Sequence, residues 1–248
     1  LKGQTALVTG GAVRIGRAIC LALAGQGADV VVHYHRSAAP ARSLCADLKQ
    51  LGVRAWPIRA ALESAAACER LIADSIQRAG RLDILINNAA VFHKDRLTDV
   101  TREKLDAEFR TNLYAPLLLM RALAARSRSG RIVNLLDRRI AGDDPSCIPY
   151  LLSKKALASL TRLAALELAP AFTVNGVAPG AVLPPPGKGA DYLRDRAGPV
   201  PLKRQVRPED IAAAVVFLAQ SDAITGQVVF VDGGQHLVQV DSWEAPGT

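Results

Sequence analysis

The sequence predicts an α/β fold: a Rossmann-type doubly wound parallel sheet in three layers (α/β/α), built as a single domain over residues 1–248. Three observations carry this. Short apolar runs alternate with helical periods along the chain, the pattern of parallel strands joined by helical crossovers. The first run, Thr5–Thr9, opens straight into a glycine turn, Gly10-Gly11-Ala12-Val13-Arg14-Ile15-Gly16, and then a helix. A later run, Arg131–Leu136, ends at Asp137, and Tyr150 and Lys154 follow it on the next predicted helix. Ligands of open α/β sheets gather at such strand ends.

The elements follow in order. Thr5-Ala-Leu-Val-Thr9 is apolar on both faces, hence a buried strand. After the glycine turn, Ile15, Ile19 and Leu23 recur every four residues and mark a helix. Asp29–Tyr34 is the second strand, a helix is expected from about Pro40 to Leu51, and a strand from Val53 to Arg59. A helix over Ser64–Arg78 leads to the strand Leu82–Ile86, which ends in Asn87-Asn88-Ala89-Ala90-Val91-Phe92. Helical patterns over Arg102–Phe109 and through Leu117–Met120 flank Thr111-Asn112. The helix with Tyr150 and Lys154 runs to about Ala169, then comes the strand Thr173–Val177 and Ala178-Pro179-Gly180. Pro184-Pro185-Pro186, flanked by glycines, cannot be helix or central strand, so residues 181–200 are expected as a loop or lid. Pro208 starts a helix through Leu218, and Val228–Val231 is a last strand closed by Asp232-Gly-Gly234. His236 to Thr248 carry no period.

Composition narrows the class. No stretch approaches the roughly 18 to 20 apolar residues of a membrane span, and Leu1-Lys-Gly-Gln runs directly into a strand, so no signal segment or membrane partner is expected. Cys20, Cys45, Cys68 and Cys147 lack metal-ligand or disulfide spacing; a cytoplasmic protein with core cysteines and no metal is expected. The net charge is +8, but the arginines are scattered and aromatics are 4% of the chain, which argues against nucleic acid. A basic surface suits an anionic cofactor or an acidic carrier equally.

Chemistry concentrates at three places. Strand, glycine turn and helix start make a phosphate cradle, in which glycines admit the anion and free N–H groups of the first turn face it. Its pattern is T-G-x-x-x-R-x-G, with Arg14 placed to meet phosphate or substrate. About 20 residues past Gly16, where an acid would select NAD, stand His35, Arg36 and Ser37. Arginine and a hydroxyl suit a ribose 2′-phosphate, so NADPH is expected. Tyr150 and Lys154 share one helix face, and a lysine cation close to a phenol lowers its pKa from about 10.

Thr9-Gly10…Gly16, Asn87-Asn88-Ala89, Asn112, Tyr150…Lys154, Pro179-Gly180 and Asp232-Gly-Gly234, in this order and spacing, resemble the short-chain dehydrogenase/reductase family over nearly the whole chain. The resemblance implies an NADP-dependent oxidoreductase with Tyr150 as proton donor, Lys154 gripping the nicotinamide ribose and Asn112 positioning a water. It implies cofactor contacts from Gly10, Arg14, Ile15 and Gly16, from His35, Arg36, Ser37 and Leu62, from Asn88, Ala89 and Ala90, and from Pro179, Gly180 and Val182. It also implies a homotetramer, paired through the helices around 112–126 and 150–169.

One departure sets the subgroup. The family usually carries a catalytic serine where this chain has Asp137. Together with Arg14 in the turn and His33-Tyr-His-Arg-Ser37, the aspartate is similar to pteridine reductases and dihydromonapterin reductases, in which an aromatic after N-N-A stacks on the pterin. Phe92 matches; Ala90 and Ala61 replace a serine and an acid usual there. The substrate site implied is Arg14, Phe92, Asp137 and Tyr150. Asp137 would either stay ionised and keep Tyr150 protonated, or hold a proton and share the donor role. Three functions are compatible: an NADPH-dependent reductase of a pterin-like small molecule, a carbonyl reductase acting on a ketone or 3-oxoacyl carrier, and a non-catalytic NADPH-binding protein.

Overall fold

A computed structural model describes residues 1–184, 187–189, 191–196 and 200–238. Seven strands, β1 (Thr5–Val8), β2 (Asp29–Tyr34), β3 (Ala55–Arg59), β4 (Ile84–Asn87), β5 (Gly130–Leu135), β6 (Phe172–Pro179) and β7 (Val228–Val231), form one parallel sheet. Their order is β3-β2-β1-β4-β5-β6-β7. The chain leaves β1 toward one edge and returns beside β1 with β4, so the order reverses between these two strands. That crevice is where a doubly wound sheet binds its ligand.

The strands are apolar because both faces are covered. Ala6, Val8, Val30 and Val32 belong to one core, with Ile19 and Leu23 of α1 (Arg14–Gly25), Leu44 and Leu48 of α2 (Ala38–Gln50), and Ile211 and Val215 of α8 (Pro208–Gln220). Their neighbours Leu7 and Val31 point to the other core, with Leu71 and Ile72 of α3 (Ala65–Ala79) and Leu119 and Leu123 of α5 (Ala115–Ala124). Each such leucine or isoleucine contributes about 1.5–3 kcal/mol by leaving water. The α/β/α layering expected from the alternation is therefore observed. Pro57 lies in β3, an edge strand, where a missing N–H is tolerated. All four cysteines are buried and free, and burial pushes the thiols of Cys45 and Cys68 up to about 11.

Several boundaries differ from the sequence reading. α2 begins at Ala38 rather than Pro40, and β3 starts at Ala55 rather than Val53. α4 (Arg102–Phe109) does not stop before α5; a π-turn, Arg110–Tyr114, joins them and carries Asn112. One extra residue per turn there swings Asn112 inward, a device common at functional sites. Residues 181–200 are not all loop: α7 spans Asp191–Arg196. The rest of that expected lid is only partly within the described residues, as 185–186, 190 and 197–199 lie outside them, and so do residues 239–248 of the tail. No helix among the described residues is long and apolar enough to cross a membrane.

Candidate active site

The cradle is built by the sequence around Thr9. Its Oγ1 accepts from the N–H groups of Asn88 and Ala89 at 2.9 and 3.0 Å, tying the end of β4 to the end of β1. Asn88 Nδ2 donates back to the carbonyls of Thr9 and Gly10. Gly10 turns the chain at φ +61°, a left-handed conformation that favours glycine. His33 fastens the turn from β2: its Nδ1 accepts from Gly10 N–H at 3.1 Å, so Nε2 carries the proton and donates to the Ala60 carbonyl at 3.2 Å. Burial pushes His33 down to about 4, which keeps it neutral and this tautomer in place.

Two helix starts face this crevice without a side-chain cap or an acid in the first turn: α1 behind Val13 and α2 behind Ser37. By contrast, Ser64 and Thr101 cap α3 and α4. Uncapped N–H groups with the positive end of the helix dipole suit phosphate groups. At α2 the Ser37 hydroxyl is not spent on its own helix, and exposed Arg36 has no ion-pair partner among the described residues. His35 lies beside them, its carbonyl accepting from Arg59 Nε at 3.3 Å. The residues therefore fit a dinucleotide with a 2′-phosphate. NADPH is expected to exceed NADH at least tenfold in kcat/KM, about 1.4 kcal/mol, and Arg36→Asp to reverse or abolish the preference. Equal use of both by the unaltered chain, in parallel steady-state assays, would refute this.

The chemical centre lies where β5 ends. α6 (Ile148–Leu168) presents Tyr150 and Lys154 one turn apart. Tyr150 O–H donates to Asp137 Oδ2 at 2.8 Å, and Lys154 Nζ donates to the Leu135 carbonyl at 2.7 Å while lying 5.9 Å from the Tyr150 ring centre. Asp137 also accepts from the Arg139 backbone N–H at 2.8 Å and its guanidinium at 3.2 Å. Among the described residues, the Arg139 N–H groups that point at it are donors and the Tyr150 O–H is directed at Oδ2, the pattern of an ionised carboxylate. Of the two states open to Asp137, the geometry supports the charged one. Burial, then the adjacent Asp137 charge, pushes Tyr150 well above the ordinary phenol range. Burial also draws Lys154 down to about 8, against the attraction of Asp137 and Glu108. Phe92 stands perpendicular to Tyr150 with ring centres 4.7 Å apart, 44% exposed, and Arg139 lies over it at 5.6 Å. The open part of that ring is a wall for a flat substrate.

A family described as enoyl-(acyl carrier protein) reductase matches residues 11–236. A Streptomyces violaceoruber protein assigned to the granaticin polyketide synthase as a ketoacyl reductase is 37% identical, over 96% of this chain and 98% of its own. A 3-oxoacyl-[acyl-carrier-protein] reductase of Staphylococcus epidermidis is 34% identical, over 94% and 99%. The structure of FolM alternative dihydrofolate reductase 1 from Brucella canis, complexed with NADP, superposes with a TM-score of 0.90 at 32% identity, over 98% and 96%.

The chain belongs to the short-chain dehydrogenase/reductase family. It is thus an NAD(P)-dependent oxidoreductase, and the Rossmann-like expectation stands.

In this short-chain dehydrogenase/reductase, hydrogen bonds join Asp137 to Tyr150, and Asn112 to Ser153 on the helix turn between Tyr150 and Lys154. Gly10, Ile15, Gly16, Asn88, Ala89 and exposed Ala90 surround the cradle, and half-buried Leu62 follows β3. Pro179, Gly180 and Val182 close the far side, with Gly180 N–H bonded to the Val231 carbonyl. Arg14, itself at φ +55°, donates to the carbonyls of Leu183 and Pro184 at 3.4 and 2.9 Å, joining the cradle to the start of the 181–200 segment. Asn112 is fully buried; its Oδ1 accepts from Val91 N–H, and its Nδ2 reaches the Val91 carbonyl, Glu108 and Ser153. Four contributors were not foreseen from sequence: His33 and Arg139 as described, Glu108 beneath Asn112, and Gln235, whose Oε1 accepts from Ala181 N–H at 3.2 Å. Arg139 was legible only as the second residue past Asp137. A fully buried Glu108 has no sequence signal in a helix as polar as α4.

Proposed function

We propose that this enzyme uses NADPH to reduce a C=N bond of a pterin-like heterocycle, a dihydropterin to a tetrahydropterin. The observation that carries this reading is the Tyr150–Asp137 hydrogen bond of 2.8 Å, with an aspartate where the family usually has serine. Lys154, Asn88 and the cradle residues would hold the cofactor, Lys154 having one of its three protons committed to the Leu135 carbonyl. Bound NADPH supplies a hydride to an electron-poor ring carbon. Tyr150 delivers the proton to the adjacent nitrogen. Its weak acidity suits the task, because the nitrogen left after hydride addition is strongly basic, and the raised pKa keeps the phenol protonated at neutral pH. Arg139 on one side of Asp137 and Lys154 below Tyr150 offset the charge left as the proton departs. Phe92 offers the ring face on which the heterocycle lies.

A second reading, reduction of a 3-oxoacyl thioester, is favoured by the two ketoacyl reductases at 37% and 34% identity. NADPH consumption with a dihydropterin, simple ketones and a 3-oxoacyl thioester separates the two. Turnover of the dihydropterin is expected; turnover of the thioester alone would replace the first reading by the second, and binding of NADPH without any turnover would indicate a non-catalytic protein. Assembly as a homotetramer is likewise a proposal. Leu119 and Leu157 serve the core, whereas Leu117 of α5 and Leu163 and Leu166 of α6 are 40%, 62% and 80% exposed. A monomer at micromolar concentration by sedimentation would remove it.

A further inference from the structure

The guanidinium of Arg139 is fixed on two sides and uncommitted on the third. Asp137 caps the short turn Arg138–Ala141 at the end of β5, and Asp144 caps the next turn, Pro145–Cys147, which leads into α6. Both carboxylates hold the side chain, Asp137 through Nη1 at 3.2 Å and Asp144 through Nε at 3.0 Å. Nη2, which carries two N–H groups, makes no hydrogen bond among the described residues. With the side chain 30% exposed, those donors are open to a ligand. The guanidinium carbon stands 5.6 Å over the Phe92 ring, and Nη1 converges with the Tyr150 hydroxyl on one oxygen, Asp137 Oδ2. An uncommitted donor therefore sits beside the aromatic wall and beside the proton donor at once. Arg14, expected at the substrate's polar edge, instead donates its Nη2 to the carbonyls of Leu183 and Pro184.

We propose that Arg139 is a specificity-determining residue whose Nη2 donates to a substrate carbonyl oxygen lying beside the ring nitrogen that Tyr150 protonates. Resting on the pterin-type reading, this assignment names the substrate class within it: a flat heterocycle with its C=N bond and a carbonyl side by side along one edge. In a dihydropterin the nitrogen of the reducible bond and the carbonyl carbon are attached to the same ring-fusion carbon. Nitrogen lone pair and carbonyl oxygen therefore point the same way. With the nitrogen at the Tyr150 hydroxyl, the oxygen needs a donor one hydrogen bond along from the phenol. Ionised Asp137 is an acceptor and cannot serve. Arg139, bonded to the same Asp137 oxygen, can. Its two ion pairs and the Phe92 ring have already fixed the planar fork, so little rotamer entropy is lost when the oxygen binds. The same arrangement discriminates. A ring lying on Phe92 strips water from Nη2, and a substrate without the oxygen leaves a charged donor unanswered.

The test compares a dihydropterin with the same dihydropteridine carrying hydrogen in place of that carbonyl oxygen. The unaltered chain is expected to favour the oxo compound at least about tenfold in kcat/KM, mainly through KM, the scale of one charge-assisted hydrogen bond. In Arg139→Met this preference should disappear, because the oxo compound loses its donor and the other compound had none to lose. Arg139→Lys keeps a cation between Asp137 and Asp144 without the planar fork, and should fall between the two. If Arg139 serves only to orient Asp137, the Met variant loses the same factor on both compounds, and that result overturns the proposal. Equal use of both compounds by the unaltered chain overturns it too, and needs no variant to fold. A second readout omits turnover: fully oxidised pterin, titrated into the NADP+-loaded chain and followed by its own fluorescence, should bind Arg139→Met at least about tenfold more weakly than the parent. Equal binding counts against the proposal. Reduction of neither heterocycle is a separate result, which removes the pterin-type reading and this assignment with it; equal reduction of both removes the assignment alone.

Discussion

Replacing Asp137 by alanine is expected to lower kcat for a dihydropterin at least about 10²-fold, the usual scale for losing a positioned proton-transfer group, while NADPH affinity measured well below the Lys154 pKa of about 8 stays nearly unchanged. The carboxylate touches the phenol and Arg139, whereas Lys154 is bonded to the Leu135 carbonyl and keeps that bond in the variant. Without Asp137 the second-largest cause of the raised Tyr150 pKa disappears, along with the acceptor that orients its hydroxyl. A more acidic but unoriented phenol donates from the wrong geometry, and freed Arg139 retains Asp144 at 3.0 Å and the Phe92 ring at 5.6 Å. Tyr150→Phe should be comparably damaging, and the double variant far less than multiplicative, because the two side chains act through one hydrogen bond. Steady-state kinetics on the three chains, with thermal melts to show that each is folded, tests this. Normal dihydropterin reduction by Asp137→Ala would leave Asp137 as a strand-end residue and favour the carbonyl-reductase reading.

The parts of this fold that sequence makes legible are those where a local rule and the tertiary environment agree. β1, the glycine turn, α1 and β2 could be placed because an apolar run on both faces, a glycine pair and a four-residue apolar period have few alternative structures. The convergence of Asn112, Asp137, Tyr150 and Lys154 followed from motif order, as strand ends of a parallel sheet share one edge. Where two local rules competed, the reading slipped: Pro40 looked like a helix start, but Ser37 ends the preceding turn and the two alanines before the proline already carry helix α2. The π-turn at Arg110–Tyr114 was illegible because one extra residue in a helix leaves no compositional trace, only a register shift that packing imposes. Glu108 and His33 were illegible for a related reason. A polar side chain reads as solvated until the donors that justify burying it, His93 and Asn112 for one and Gly10 for the other, are brought together from distant parts of the chain.

Gly16→Ala is expected to weaken NADPH binding at least about 10²-fold, the scale at which a displacement of about 1 Å is felt in a positioned site. A Cβ at Gly16 would lie 2.3 Å from the Gly10 carbonyl oxygen, 2.7 Å from Asn88 Nδ2 and 2.9 Å from Gly11 Cα. Two of those atoms are backbone of the turn itself, and Asn88 Nδ2 is the donor that binds the Thr9 and Gly10 carbonyls, so none can yield without opening the cradle. Overpacking of this kind costs about 1–3 kcal/mol, or a melting temperature lower by about 2–12 °C in a domain of this size. Gly25, at the end of the same helix, is the control: an added Cβ there meets nothing within 4 Å. Gly25→Ala should leave NADPH binding intact and raise stability by up to about 1 kcal/mol, since it restricts the unfolded chain without strain. The contrast separates a general intolerance of α1 to substitution from a specific need for close approach at its first turn. If Gly16→Ala binds NADPH as tightly as the parent, the turn relaxes without moving its N–H groups, and the close packing of α1 on β1 and β4 is not what shapes the cofactor cradle.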